Sequence, residues 1–204
     1  MSDFDAKART WDADPAKVER ARRVAQAIAQ QVSIQPWMTL LEYGCGTGLL
    51  GFALRERVRH VTFADTSREM IAVVREKVEA MAVENATALH TDLSSAELPA
   101  ERYDLVCSLM TLHHVPDTQG LLRRFHELLS PRGALCIADL DKEDGAFHGP
   151  GFQGHNGFDR GDLTRHLAKA GFTGVRITTV CEVEKPTSAG PRLFPVFLAT
   201  ATRP

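Results

Sequence analysis

Met38-Thr39-Leu40-Leu41-Glu42-Tyr43-Gly44-Cys45-Gly46-Thr47-Gly48 runs from an apolar stretch into glycines set at every second position. Met38 to Tyr43 is apolar and bounded by glycine, the pattern of a buried strand, and Leu49 onward reads as a helix. Strand, glycine turn and helix in that order make a cradle for a ligand. Glycine lets the chain turn sharply and lets a ligand approach the peptide groups. The unpaired N–H groups at the following helix N-terminus favour an anionic or polar guest. Two spacings coexist in this stretch. Gly46, Gly48 and Gly51 satisfy G-x-G-x-x-G, the dinucleotide fingerprint, while Gly44, Gly46 and Gly48 satisfy G-x-G-x-G behind the acidic Glu42.

Toward the N-terminus, Asp14 suits a helix cap and Pro15 the first helical position. Val18, Ala21, Ala25, Ile28, Ala29 and Val32 then make an apolar stripe, which should stop near Gln35-Pro36. Toward the C-terminus, strands and helices alternate. His60 to Ala64 is a strand closing on Asp65, and Ser67 to Ala82 is a helix. Thr87 to His90 is a strand closing on Asp92, and Tyr103 to Leu109 is another. A turn with His113, His114 and Pro116 precedes a helix over Leu121 to Leu129, which Ser130-Pro131-Arg132-Gly133 should stop. Ala134 to Asp139 is the next strand, and Asp159 to Ala170 a helix. Val175 to Val183 and Leu193 to Thr202 close the chain as a hairpin around EKPTSAGPR, so the last strand should run antiparallel. This order predicts an α/β fold: a Rossmann-like three-layer αβα sandwich, its seven-stranded sheet mostly parallel with an antiparallel last strand.

The chain has 204 residues, which suits one domain, 1–204, with an N-terminal helix and lid over 1–36. The glycine-rich stretch 140–158 is long for a connection and is a candidate substrate loop. The formal net charge of -2 lacks the basic surplus of proteins that grip nucleic acid, so no nucleic-acid partner is expected. Arg55, Arg57 and Arg59 read as a solvated helix end. No apolar run reaches the roughly 20 residues that cross a bilayer, so no membrane partner is expected. The acidic N-terminus has no apolar core of a secretory signal. Cys45, Cys107, Cys136 and Cys181 form no C-x-x-C pair and read as reduced, mostly buried thiols, which places the chain in the cytoplasm.

The run LEYGCGTG resembles motif I of the class I S-adenosylmethionine-dependent methyltransferases. Asp65 lies where a carboxylate accepts hydrogen bonds from ribose hydroxyls, which both S-adenosylmethionine and NAD carry. Asp92 in HTDLSS sits where that methyltransferase family often places an acid near the adenine amino group, with Leu93 beside the ring. YDLVCSLMTLHHVPD is similar to the family's fourth-strand motif. FDAKARTWDADPAKVERARRVA resembles the lead-in of small-molecule methyltransferases of the ubiquinone/menaquinone-biosynthesis type, where an N-terminal aromatic closes over the cofactor. The resemblance spans nearly the whole chain. It implies S-adenosylmethionine as cofactor, S-adenosylhomocysteine as product and a small-molecule methyl acceptor. It implies a cofactor site of Trp11, Glu42, Gly44, Gly46, Gly48, Asp65, Thr66, Met70, Asp92, Leu93, Ser108 and Leu109. An NAD-dependent oxidoreductase and a non-catalytic S-adenosylmethionine-binding module are the alternatives.

Methyl transfer from a sulfonium is an in-line displacement, so the protein must align the nucleophile and exclude water. A neutral oxygen or nitrogen nucleophile also needs a base. His113 and His114 are the first candidates because histidine titrates near neutral pH, and Asp139 could position the acceptor. Each has a plainer role available, in a turn, a cap or a salt bridge. His148, His155, Asp139 and Asp141 match no metal-ligand spacing, so no metal is expected. Lys185 is expected to be solvated, and His60, His90, His126 and His166 structural or exposed.

Overall fold

The computed structural model describes residues 3–187 and 190–204. Two short elements precede the first long helix: α1 (Asp3–Lys7) and a 3-10 turn over Ala8–Ala13. Sequence periodicity did not announce them, because only Ala8 is buried within the 3-10 turn. α2 (Pro15–Gln31) begins as its residues require: the Asp14 side chain accepts from the Ala16 N–H, and Pro15 needs no partner there. α2 buries Ala21, Val24, Ala25 and Ile28.

The remaining elements alternate as β1 (Thr39–Tyr43), α3 (Leu49–Leu54), β2 (His60–Asp65), α4 (Arg68–Ala80), β3 (Ala86–His90), β4 (Tyr103–Leu109), α5 (Thr118–Leu128), β5 (Leu129–Leu140), α6 (Arg160–Lys169), β6 (Thr173–Thr187) and β7 (Gly190–Thr202). The sheet has seven strands in the order β3-β2-β1-β4-β5-β7-β6, with β7 antiparallel to both neighbours. Successive strand residues face opposite layers. Leu40 joins α2, α3 and α4 in one apolar cluster through Val24, Leu50 and Val74. Leu41 joins α5 and α6 in the other through Phe125 and Leu167. The expected three-layer sandwich is therefore present.

The strand order reverses direction between β1 and β4, since β2 and β3 lie on one side of β1 and the later strands on the other. In open α/β sheets the ligand crevice opens beyond the carboxyl ends of the strands at such a point. The glycine turn after β1 and the histidine turn after β4 thus become neighbours. Thr111 Oγ1 donates to the Gly44 carbonyl at 3.1 Å.

Boundaries depart from expectation at several places: α2 ends at Gln31, short of Gln35-Pro36, and α5 starts at Thr118 rather than Leu121. Ser130-Pro131-Arg132-Gly133 does not separate α5 from the next strand; β5 begins at Leu129, directly after α5, and an irregularity opposite Tyr103 and Leu105 accommodates the turn residues, with Arg132 at φ 65°. The closing hairpin is also longer than expected. Its ladder continues through Lys185↔Arg192 to Thr187↔Gly190, so most of EKPTSAGPR lies in the strands, and residues 188–189 lie outside the described residues.

Candidate active site

All three alternating glycines take left-handed backbone: Gly44 at φ 62°, Gly46 at 52° and Gly48 at 82°. A side chain there would be strained. At Gly44 it would also collide with Thr111, and at Gly48 with Phe52 and Phe63. Gly46 is different. A Cβ there would have its nearest neighbours, Met70 Sδ and Trp11 Nε1, at 3.9 Å. The middle of the loop is thus the open part of the cradle, with Trp11 and buried Met70 beside it.

Two carboxylates brace this loop. Asp65 accepts from the Gly46 N–H at 2.7 Å and, with its other oxygen, from the Ser67 N–H at 2.8 Å. Ser67, not Asp65, caps α4, accepting from the Met70 N–H at 3.2 Å. Each carboxylate oxygen has a second acceptor position, so Asp65 retains capacity for ribose hydroxyls. Burial pushes the Asp65 carboxyl above its ordinary value, against these backbone hydrogen bonds. Glu42 lies beneath the loop, 2% exposed, and accepts from the Gly51 N–H at 2.9 Å. α3 begins after Gly48, which has no side chain to cap it, so Glu42 satisfies that helix end from below. Burial pushes the Glu42 carboxyl up to about 8.

The N-terminal segment folds onto this cradle. Thr47 Oγ1 donates to Asp12 at 2.5 Å, Lys77 pairs with Asp12, Arg9 pairs with Glu76, and Ser67 Oγ donates to Asp5 at 2.6 Å. Phe4 meets Trp11 edge-on with ring centroids 6.1 Å apart, and meets His114 at 5.2 Å. An aromatic path therefore leads from the glycine loop to the histidine turn.

That turn is built on strained backbone, with Met110 at φ 54° where β4 ends. His113 follows in a short 3-10 turn, Leu112–His114, and is 1% exposed. Asp139, fully buried near the end of β5, holds it twice: Oδ1 lies 2.6 Å from His113 Nδ1, and Oδ2 accepts from the His113 N–H at 3.2 Å. A carboxylate only accepts, so Nδ1 is the ring nitrogen that donates to Asp139, and Nε2 is the one left free of it. His114 packs beside it with centroids 4.2 Å apart.

A family model described as a methyltransferase domain matches residues 17–177. The chain belongs to the methyltransferase domain family. Among curated relatives, a ubiquinone biosynthesis O-methyltransferase of Xanthomonas campestris is 32% identical over 143 residues, 68% of this chain and 59% of that protein. An uncharacterized methyltransferase of Schizosaccharomyces pombe is 32% identical over 119 residues, 55% of this chain and 42% of that protein. The matches thus span about half the length of these relatives. In a solved complex between the Haloferax volcanii Trm112 methyltransferase activator and a methyltransferase, a chain superposes with TM-score 0.81 at 17% identity, covering 100% of this chain and 99% of that one. An S-adenosylmethionine-dependent methyltransferase of Aquifex aeolicus gives 0.64 at 19% identity, over 94% and 99%.

The other anticipated residues lie at the ends of β2, β3 and β4 and after β5. The Thr66 carbonyl lies 3.0 Å from His90 Nε2. Asp92 is held by its own turn, accepting from the Ser94 N–H and from the Ser94 and Ser95 hydroxyls. Leu93 is buried, its carbonyl accepting from Arg124 Nε at 2.5 Å. Ser108 is buried and Leu109 packs partly against the core. Asp141 is committed to Arg160 by hydrogen bonds of 2.7 and 2.6 Å. His155 Nε2 lies 3.0 Å from the Val115 carbonyl, so both belong to the framework.

Lys185 is not simply solvated. Its Nζ donates to the Phe147 carbonyl at 3.0 Å and sits 4.1 Å from that ring's centroid, because the 140–158 loop reaches the closing hairpin. The loop also delivers His148 to the turn. His148 lies 5.1 Å from His113 and 5.3 Å from His114, centroid to centroid, and stacks on Phe152 at 3.8 Å. Burial, helped by the neighbouring His113, lowers His114 to about 4; burial and the same neighbours lower His148 to about 4.

Proposed function

We propose that this chain transfers a methyl group from S-adenosylmethionine to a small-molecule acceptor. The observation that carries the reading is the left-handed G-x-G-x-G turn, braced by Asp65 and opening at Gly46, beside a turn bearing His113. Bound there, the cofactor would supply an activated methyl group on sulfur. The Gly44–Gly48 backbone, Asp65 and Asp92 would hold its polar parts, while Trp11, Met70 and Leu93 would cover apolar ones. Glu42 shapes the floor of this site through Gly51.

His113, His114 and Asp139 form the acceptor end. Their proposed work is to present the acceptor's heteroatom as an unprotonated nucleophile facing the donor. Asp139 fixes which nitrogen of His113 is left free of it. His114 and the 140–158 loop exclude water, which would compete as nucleophile and blunt every charge in the site. The likeness to ubiquinone biosynthesis O-methyltransferases and the net charge of -2 support a small acceptor rather than nucleic acid. Among the described residues no helix is long and apolar enough to cross a membrane, and the four cysteines are free and buried, which supports a cytoplasmic setting.

Calorimetry with S-adenosylhomocysteine tests this, with NADH as the control. A ligand at 100 times its dissociation constant stabilises the native state by about 2.7 kcal/mol. S-adenosylhomocysteine alone should raise the melting temperature. A rise with NADH alone would transfer the glycine loop to dinucleotide chemistry, and no rise with either would end the proposal.

A further inference from the structure

Three imidazoles meet at the acceptor end. One ring nitrogen from each of His113, His114 and His148 lies within 4.8 Å of the other two. Two of these rings carry nitrogens whose bonding is incomplete: His113 Nε2 and His148 Nε2 are both buried and have no hydrogen-bond partner. Buried polar atoms are nearly always paired, and each exception calls for an explanation. His113 cannot turn to find a partner, because Asp139 fixes Nδ1 and the backbone N–H together. Asp139 Oδ1 is itself steadied by the Leu140 N–H at 2.7 Å.

We propose that His113, His114 and His148 form a binding site for a divalent transition-metal ion. The His113–Asp139 pair has the arrangement in which a carboxylate holds one ring nitrogen so that the other presents its lone pair to a metal. His148 is held in turn by stacking on Phe152 and edge contact with Phe147, and His114 by the edge of Phe4. Imidazole donors suit zinc, copper, nickel, cobalt and ferrous iron; magnesium and calcium take oxygen. Zinc–nitrogen bonds of about 2.0–2.1 Å would draw the three nitrogens inward from a spacing now within 4.8 Å. Three protein ligands also leave a position open, as in catalytic rather than structural zinc sites.

The ion would tie the 140–158 loop to the turn after β4. The loop already docks there, since the His155 N–H donates to the His113 carbonyl at 2.7 Å. An acceptor heteroatom entering the open position would be acidified by the cation and give up its proton to solvent, the metal then standing in place of His113 as the activating group. That role rests on the methyl-transfer reading; the binding of the ion does not.

The test uses the full chain, stripped with a chelator and titrated with Co²⁺. One equivalent should bind and give the visible absorption of nitrogen-ligated cobalt, Zn²⁺ should displace it, and Mg²⁺ should neither give nor remove the signal. His148→Ala should abolish the spectrum, and Asp139→Asn should weaken binding about 10–100-fold. His60→Ala, at the start of β2, should bind as the parent does. Circular dichroism and the thermal shift with S-adenosylhomocysteine report the folding of each variant. Absence of stoichiometric Co²⁺ binding by the parent, or a spectrum unchanged in a folded His148→Ala, overturns the proposal. Cobalt binding without any S-adenosylhomocysteine shift would uphold the metal site and refute the methyl-transfer reading; the reverse would do the opposite.

Discussion

Glu42 is the residue whose chemistry is most altered by the fold. Its carboxyl, pushed up to about 8 by burial, keeps its proton at neutral pH, whereas the unfolded chain releases it near 4.5. Between those values the unfolded state binds fewer protons, so this group's contribution to stability is complete below about 4.5 and is lost progressively as pH rises to about 8. Glu42→Gln retains an oxygen for the Gly51 N–H and removes the titration. The variant should match the parent at pH 4.5 and exceed it at pH 8, by on the order of a few kcal/mol. Thermal unfolding across that range measures the difference, at roughly 2–4 °C per kcal/mol. Parallel curves for the two proteins would mean that Glu42 ionises freely in the folded state. The sequence identified Glu42 as part of the cradle because it precedes the glycines. It did not reveal that the carboxyl works on α3 from below, since the partner, Gly51, declares itself only once β1 and α3 have folded back on each other.

At the level of elements, legibility followed backbone demand and apolar periodicity. The glycine turn was readable because left-handed φ at three alternating positions, Gly44, Gly46 and Gly48, strongly favours glycine. α2 was readable from Asp14, Pro15 and an apolar stripe, although Val18 in that stripe is exposed and Val24 outside it is buried. The segment before it was not, because its attachment is mostly polar: Asp5, Arg9 and Asp12 reach partners on α4 and the glycine loop. The 140–158 loop was recognisable as long and rich in glycine, but the joining of its ends was not. Asp141 and Phe158 bridge, and the Phe158 N–H donates to the Leu140 carbonyl at 2.9 Å. Gly157 permits this closure with φ 68°, and a Cβ there would stand 2.1 Å from the Asp141 carbonyl oxygen. Gly149, at φ 79°, has nothing within 4 Å of its would-be Cβ. Gly149→Ala should therefore incur only the left-handed backbone penalty of about 1–2 kcal/mol, and Gly157→Ala clearly more. Gly157→Ala should also expose residues 142–156 to limited proteolysis. Equal melting temperatures and equal protease resistance for the two variants would show that the loop base does not depend on Gly157.

Across the whole molecule, the sheet and its attachments differ in kind. β1, β4 and β5 are flanked on both faces by buried side chains, which is why the parallel core could be read as near-continuous apolar runs. The pieces that complete the site come from outside that core: the N-terminal segment over Gly46, and the 140–158 loop over His113. Nothing in a linear pattern places His148 beside His113, or Lys185 on Phe147, because those meetings depend on where two separate connections settle on a finished sheet. The same division predicts where a bound cofactor will be felt. Segments held by a few polar contacts open at low free-energy cost, and core strands open only with the whole fold. Hydrogen exchange with and without saturating S-adenosylhomocysteine should show added protection at residues 3–13 and 44–48, and at α4 where Asp5 and Arg9 attach. For amides whose opening requires ligand release, the slowing should approach about 100-fold at 100 times the dissociation constant. α6 (Arg160–Lys169), packed against α5 and β6, should change little. Protection that spared residues 3–13 would remove Trp11 and its neighbours from the cofactor site and leave the glycine loop to bind alone.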